Sequence, residues 1–215
     1  MQILYNSRVE NTKATGKTME TVQQLPWEYD QIAVIDLQKN KKEALAVNIL
    51  SSVIAIVMYL IRDRIEPFLI WLGKAAMEDR LIAGGIALIV CTVLYVILHE
   101  FTHGLAMKCF GGKEVRYGFT GMYAYAGSSR DYFPKGKYIC IALAPVVIWG
   151  IIFAVLQALL PQWSWVIWFL QIMNVGGAAG DLYVVYRVSG MPDTILVMDT
   201  GVNMTVYDKV KLPIR

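Results

Sequence analysis

Two histidines four residues apart with a glutamate between them, in the run His99-Glu100-Phe101-Thr102-His103, are the residues of this chain best suited to do chemistry. On an α-helix, positions four apart share one face, so both imidazoles can reach a single zinc ion while the glutamate beside them reaches a zinc-bound water. The chemistry this pattern points to is peptide hydrolysis: zinc polarises a water and the scissile carbonyl, and Glu100 takes the water's proton and delivers it to the leaving amine. His99 and His103 are the only histidines in the chain. They fall inside a long apolar run, where ionisable groups are costly unless paired or metal-bound. The bland alternative is a polar patch that holds helices together, but hydrogen bonding alone does not require two histidines and a carboxylate in this order.

A hydrolytic zinc site keeps three protein ligands and one open position. With no third histidine, the remaining protein ligand is a carboxylate, a thiolate or nothing. Asp181 is the leading candidate. It is the only acidic residue between Trp163 and Val188, it follows the loosening run Gly176-Gly177-Ala178-Ala179-Gly180, and its distance to Arg187 resembles that from His103 to Lys108. At helical rise, both half-sites then sit within roughly 10 Å of the same membrane surface. A snorkelling or helix-capping carboxylate is the alternative for Asp181. Cys109 and Cys140 remain weaker candidates, because thiolates more often mark closed structural zinc. Asn174 lies two turns before Asp181 on the same face, placed either to bind a substrate backbone or an oxyanion or to make a plain interhelical hydrogen bond.

The elements that must position these residues are membrane helices. Over 215 residues, 56% are hydrophobic and the mean hydropathy is +0.47, more than a water-facing globule of this length carries. The composition predicts a mainly α, multi-pass membrane protein with about four spans, near 44–61, 81–108, 138–160 and 163–188, the third kinked at Pro145. An interfacial helix or partly inserted loop is expected at 65–77. Alternating residues at 115–119 and 122–126 around Thr120-Gly121 predict a β-hairpin between the second and third spans. The stretch 31–37 reads as a strand and the tail 194–207 as a second hairpin. The expected organisation is a polar amino-terminal segment (1–43), a membrane core (44–188) and a polar tail (189–215). Lys and Arg crowd before the first span, between the second and third, and after the fourth, which predicts a cell-membrane location with both termini cytoplasmic. A net charge of +3 with scattered basic residues argues against nucleic acid as a partner. Three cysteines in or beside apolar stretches do not form a disulfide framework.

At these residues the chain resembles a known family. The order HEFTHGLAMKCFGG, a hairpin, ALAP (Ala142–Pro145), NVGGAAGDLYVVYRV (Asn174–Val188) and PDTILVMDTG (Pro192–Gly201) looks like the zincin peptidases found among small bacterial membrane proteins, and the likeness covers nearly the whole chain. More distantly, the plan is similar to the site-2 intramembrane metalloproteases. The resemblance implies His99, His103 and Asp181 as zinc ligands and Glu100 as general base. The chain departs from the larger family in that Leu182 rather than glycine follows Asp181, and no proline falls between Asn174 and Asp181. The expected activity is hydrolysis of peptide bonds in membrane or membrane-proximal proteins, with an edge of the 115–126 hairpin holding the substrate extended. A membrane-anchored protease acting on cytosolic segments and a noncatalytic scaffold or transporter subunit with structural zinc are the competing expectations.

Overall fold

The computed structural model of the chain describes residues 19–121 and 123–210. Parts of the expected terminal segments, and Met122 of the expected hairpin, lie outside them. Six helices, α1 (Lys41–Ile65), α2 (Phe68–Met77), α3 (Leu81–Cys109), α4 (Lys135–Leu159), α5 (Ser164–Gly177) and α6 (Ala179–Ser189), are accompanied by six short strands: β1 (Tyr29–Ile35), β2 (Arg116–Phe119), β3 (Ala124–Gly127), β4 (Phe133–Pro134), β5 (Leu196–Asp199) and β6 (Met204–Lys209). The protein is mainly helical.

Among the described residues, three helices, α1, α3 and α4, are long and apolar enough to cross a membrane. Their outward positions carry large apolar side chains, such as Val53 and Ile56, Ile89 and Val93, and Ile151 and Val155, all about half exposed or more. That is a surface suited to lipid and costly in water. The start of α1 is fixed by Asn40, whose side chain accepts from the amides of Lys42 and Glu43 at 3.2 and 3.3 Å, the usual satisfaction of unpaired first-turn donors.

The expected fourth span is not one helix. It breaks at Ala178 into α5 and α6, within a run holding Gly176, Gly177 and Gly180. Each interior glycine weakens a helix by about 1 kcal/mol relative to alanine. Gly176 also lies close against Ser51 and Ile54 of α1. The break gives α6 a fresh amino terminus, and Asp181 falls in its first turn, where a carboxylate is favoured by the helix dipole. Around this pair, α5 packs on α1, α3 and α4, and α4 packs on α3 and α6.

β2 and β3 pair antiparallel between α3 and α4, from Arg116↔Gly127 to Phe119↔Ala124. They lie against α3 where Gly104 offers no side chain; a Cβ there would strike the Tyr117 ring. The terminal segments, expected as separate pieces, instead join in one antiparallel sheet of order β1-β6-β5-β4. Its apolar face, with Ile35, Val197 and Val206 fully buried, packs on Met107 of α3, Ile141 of α4 and Val188 of α6. All of these lie at one end of the helices, so the sheet closes the end of the bundle that carries the histidines. The connection from α3 to β2 is held by Asp131, which accepts from the Ser128 hydroxyl (2.7 Å), the Lys113 and Glu114 amides (2.8 and 3.1 Å) and the Gln23 side chain (3.3 Å). Burial alone would raise the Asp131 carboxyl, but these donors hold it below the usual carboxylate value.

Candidate metal centre

His99, Glu100 and His103 occupy the part of α3 that faces α6 and β3. One turn along the helix brings the imidazole centroids to 4.9 Å, and α6 presents Asp181 opposite them. The Asp181 carboxylate spans the pair, with Oδ2 3.4 Å from His99 Nε2 and Oδ1 3.4 Å from His103 Nε2. One ligand atom from each of the three residues lies within 4.8 Å of the others.

Proton bookkeeping decides what this cluster is. The Asn174 side-chain nitrogen donates to the Val146 carbonyl at 3.0 Å, which leaves its oxygen to accept from the Tyr95 hydroxyl at 3.0 Å. That bond uses the only hydroxyl proton of Tyr95. At 2.9 Å from His99 Nδ1 the phenol oxygen is therefore the acceptor, and His99 Nδ1–H the donor. His103 Nδ1 lies 3.1 Å from the Ile141 carbonyl, which can only accept. Both imidazoles thus carry a proton on Nδ1, and in the neutral form both aim an Nε2 lone pair at the Asp181 carboxylate. In that form three acceptors face one another, an arrangement that could hold a cation, and two imidazoles with a carboxylate suit zinc. The donor set fits a zinc ion, which would be held by His99, His103 and Asp181.

Glu100 stands beside this set rather than in it. Its carboxylate lies near the Ala126 backbone of β3. It lines a cavity of about 470 Å³ together with His99, His103, Asp181, Tyr125 and Asp199. The lining also includes Leu37 and Gln38, just before α1, and Asn48 within it. Of the residues singled out in the sequence, His99, Glu100, His103 and Asp181 come together. Asn174 is completely buried, and its bonds run to Tyr95 and the α4 backbone, behind His99, rather than to the cavity. Cys109 and Cys140 are exposed free thiols and do not join the group.

Sequence reasoning missed Tyr95, the Ile141 carbonyl and an aspartate in the tail. Asp199 accepts from the Tyr138 hydroxyl at 2.7 Å and from the Gly201 amide at 2.7 Å. Burial pushes its carboxyl up in spite of these two donors. Gly201 has φ 81°, a conformation that favours glycine, and a Cβ there would also meet the Tyr125 ring. The turn between β5 and β6 thereby seats against β3 at the cavity wall.

No solved structure matches this chain. A curated relative from Pyrococcus woesei, "Uncharacterized 24.7 kDa protein in gap 5'region", is similar at 32% identity over 127 residues, covering 54% of this chain and 53% of that protein. The chain thus spans about half the length of the curated relative it matches. Residues 92–196 match the model of the family described as "Putative zincin peptidase". That matched segment, just under half of the chain, holds every residue of the centre from Tyr95 to Asp181.

Proposed function

We propose that the chain is a membrane-embedded zinc metalloprotease that hydrolyses peptide bonds of membrane or membrane-proximal proteins. The observation that carries this is the convergence of two imidazole Nε2 atoms and one carboxylate, with Glu100 adjacent and the cavity in front. Bound zinc would supply a Lewis acid that activates water and polarises the substrate carbonyl. Glu100 accepts one proton from the attacking water and passes it to the nitrogen as the C–N bond breaks. The Ala126 amide of β3 lies beside that carboxylate.

The same amide supports a way for a substrate to fit. It points away from β2 toward Glu100, and along a strand the groups of Ala124, two residues earlier, point the same way. The outer edge of β3 therefore faces the cavity, and an extended peptide can pair with it. The amides of a helix are tied up in its own hydrogen bonds, so a helical substrate must unwind before it can pair with that edge and be cleaved. The arrangement of two helices sharing a metal sunk below one membrane face is the ground for likening the chain to site-2 intramembrane proteases.

A noncatalytic scaffold with structural zinc is the second reading. It has no use for a carboxylate beside the metal set that is itself not a ligand. Comparing the proteomes of cells carrying the wild type and Glu100→Gln separates the two. Accumulation of uncut substrates in the variant is expected. Identical processing in both would put the scaffold ahead.

A further inference from the structure

Neither imidazole chooses its own tautomer. Each is set by one acceptor, and the two acceptors come from unrelated features of the fold. For His103 the acceptor is the Ile141 carbonyl on α4. Inside an α-helix that oxygen would take the amide proton of the residue four positions on, which here is Pro145. Proline has no amide proton, so the helix leaves the Ile141 carbonyl open at this one place, level with His103. For His99 the acceptor is the Tyr95 oxygen, and it accepts only because Asn174, tied to the Val146 carbonyl, takes the hydroxyl proton. Both arms anchor on the same stretch of α4, either side of Pro145.

We propose that Pro145 and Asn174 are positioning residues of the metal centre: Pro145 fixes His103 by freeing the Ile141 carbonyl, and Asn174 fixes His99 by orienting the Tyr95 hydroxyl. Neither is a ligand or touches the reacting atoms. The arrangement explains why a helix-breaking residue lies within a membrane helix, and why a carboxamide is completely buried with both its oxygen and its nitrogen engaged. It also separates the two histidines, each of which answers to its own arm. The inference rests on the metal-centre reading above.

The test uses the full-length, zinc-loaded protein in detergent micelles with ¹⁵N-labelled histidine; the chain has two histidines, so the spectrum holds two imidazoles. Wild type should show both with Nδ1 protonated and Nε2 bound to metal. Tyr95→Phe keeps the ring that packs on Trp149 and Phe153 and removes the relay. This change and Asn174→Leu should each shift the His99 Nδ1–H signal, leave that of His103 in place, and weaken zinc affinity on the order of 10- to 100-fold. Asn174→Asp, which still offers Tyr95 an oxygen, should restore the His99 signal. Pro145→Ala, whose new amide proton competes for the Ile141 carbonyl, should shift His103 and spare His99. General loosening of the fold would move both signals in every variant, and that pattern, or no movement in any of them, would overturn the proposal while zinc binding by the wild type still stood. A wild type that takes up no zinc would instead defeat the metal-centre reading itself.

Discussion

Glu100 and the metal set differ in what they lose on substitution. Removing a ligand takes away a donor and leaves the others facing one another, so His99→Ala, His103→Ala and Asp181→Ala should lose most of their zinc and with it all proteolysis. Glu100→Gln keeps nearly the same volume and can still hydrogen-bond, but it cannot take the water's proton. It should retain zinc at the wild-type level and lose activity by about 10²- to 10⁴-fold. Metal content by atomic spectrometry, set beside peptide hydrolysis, checks both; zinc retained in Asp181→Ala would move the third ligand elsewhere. His99, Glu100 and His103 were legible in the sequence because all three lie within one turn of a helix, where spacing alone fixes geometry. Asp181 was legible as a lone acid in an apolar run. Tyr95 was not, since a tyrosine among aliphatic residues reads as packing. The Ile141 carbonyl has no side-chain signature at all, and Pro145 suggested a kink without showing whose hydrogen bond it releases.

Among the elements, the connection from α3 to β2 carries its own pH dependence. Asp131 has a folded-state value below the unfolded one. Its contribution to stability is therefore present above the unfolded value near about 3.9 and is lost as pH falls through the lower, folded value. Hydrogen exchange at the Lys113 and Glu114 amides, both bonded to Asp131, should show protection collapsing over that acid range. In Asp131→Ala the protection should be gone at neutral pH, with a stability loss of about 1–2 kcal/mol from the buried Ser128 hydroxyl and the part-buried amides left unpaired. Protection unchanged in the variant would show that the loop is held by other contacts. At this scale the three long helices followed from apolar length, while the segments that pair as β2–β3 and β5–β6 are ones whose residues alternate around glycine turns. The break at Ala178 did not, although its glycines were in view, because propensity only weakens a helix and the close approach of Gly176 to α1 is a tertiary fact.

For the molecule as a whole, the sheet, the loop between α3 and α4, and the metal set share one end, whereas α2 and the turn at Pro161–Trp163 lie at the other. With the Lys and Arg bias, this predicts that the sheet end faces the cytoplasm. In a background without native cysteines, membrane-impermeant thiol labelling of intact cells should reach a cysteine at exposed position 162 and miss one at exposed position 130 or 193. The opposite pattern would invert the topology. The joining of β1, β6, β5 and β4 could not be read from the sequence: each strand is short, and the partners are brought together only when the helices between them are in place.

The central claim is that His99, His103 and Asp181 hold one zinc with a position left open. X-ray absorption at the zinc edge of the purified, full-length protein tests it most directly. The account predicts about one zinc per chain in a four-coordinate shell of nitrogen and oxygen at about 2.0–2.1 Å, with two imidazoles resolved in the outer scattering. A sulfur shell at about 2.3 Å, or a protein that binds no zinc, would contradict it.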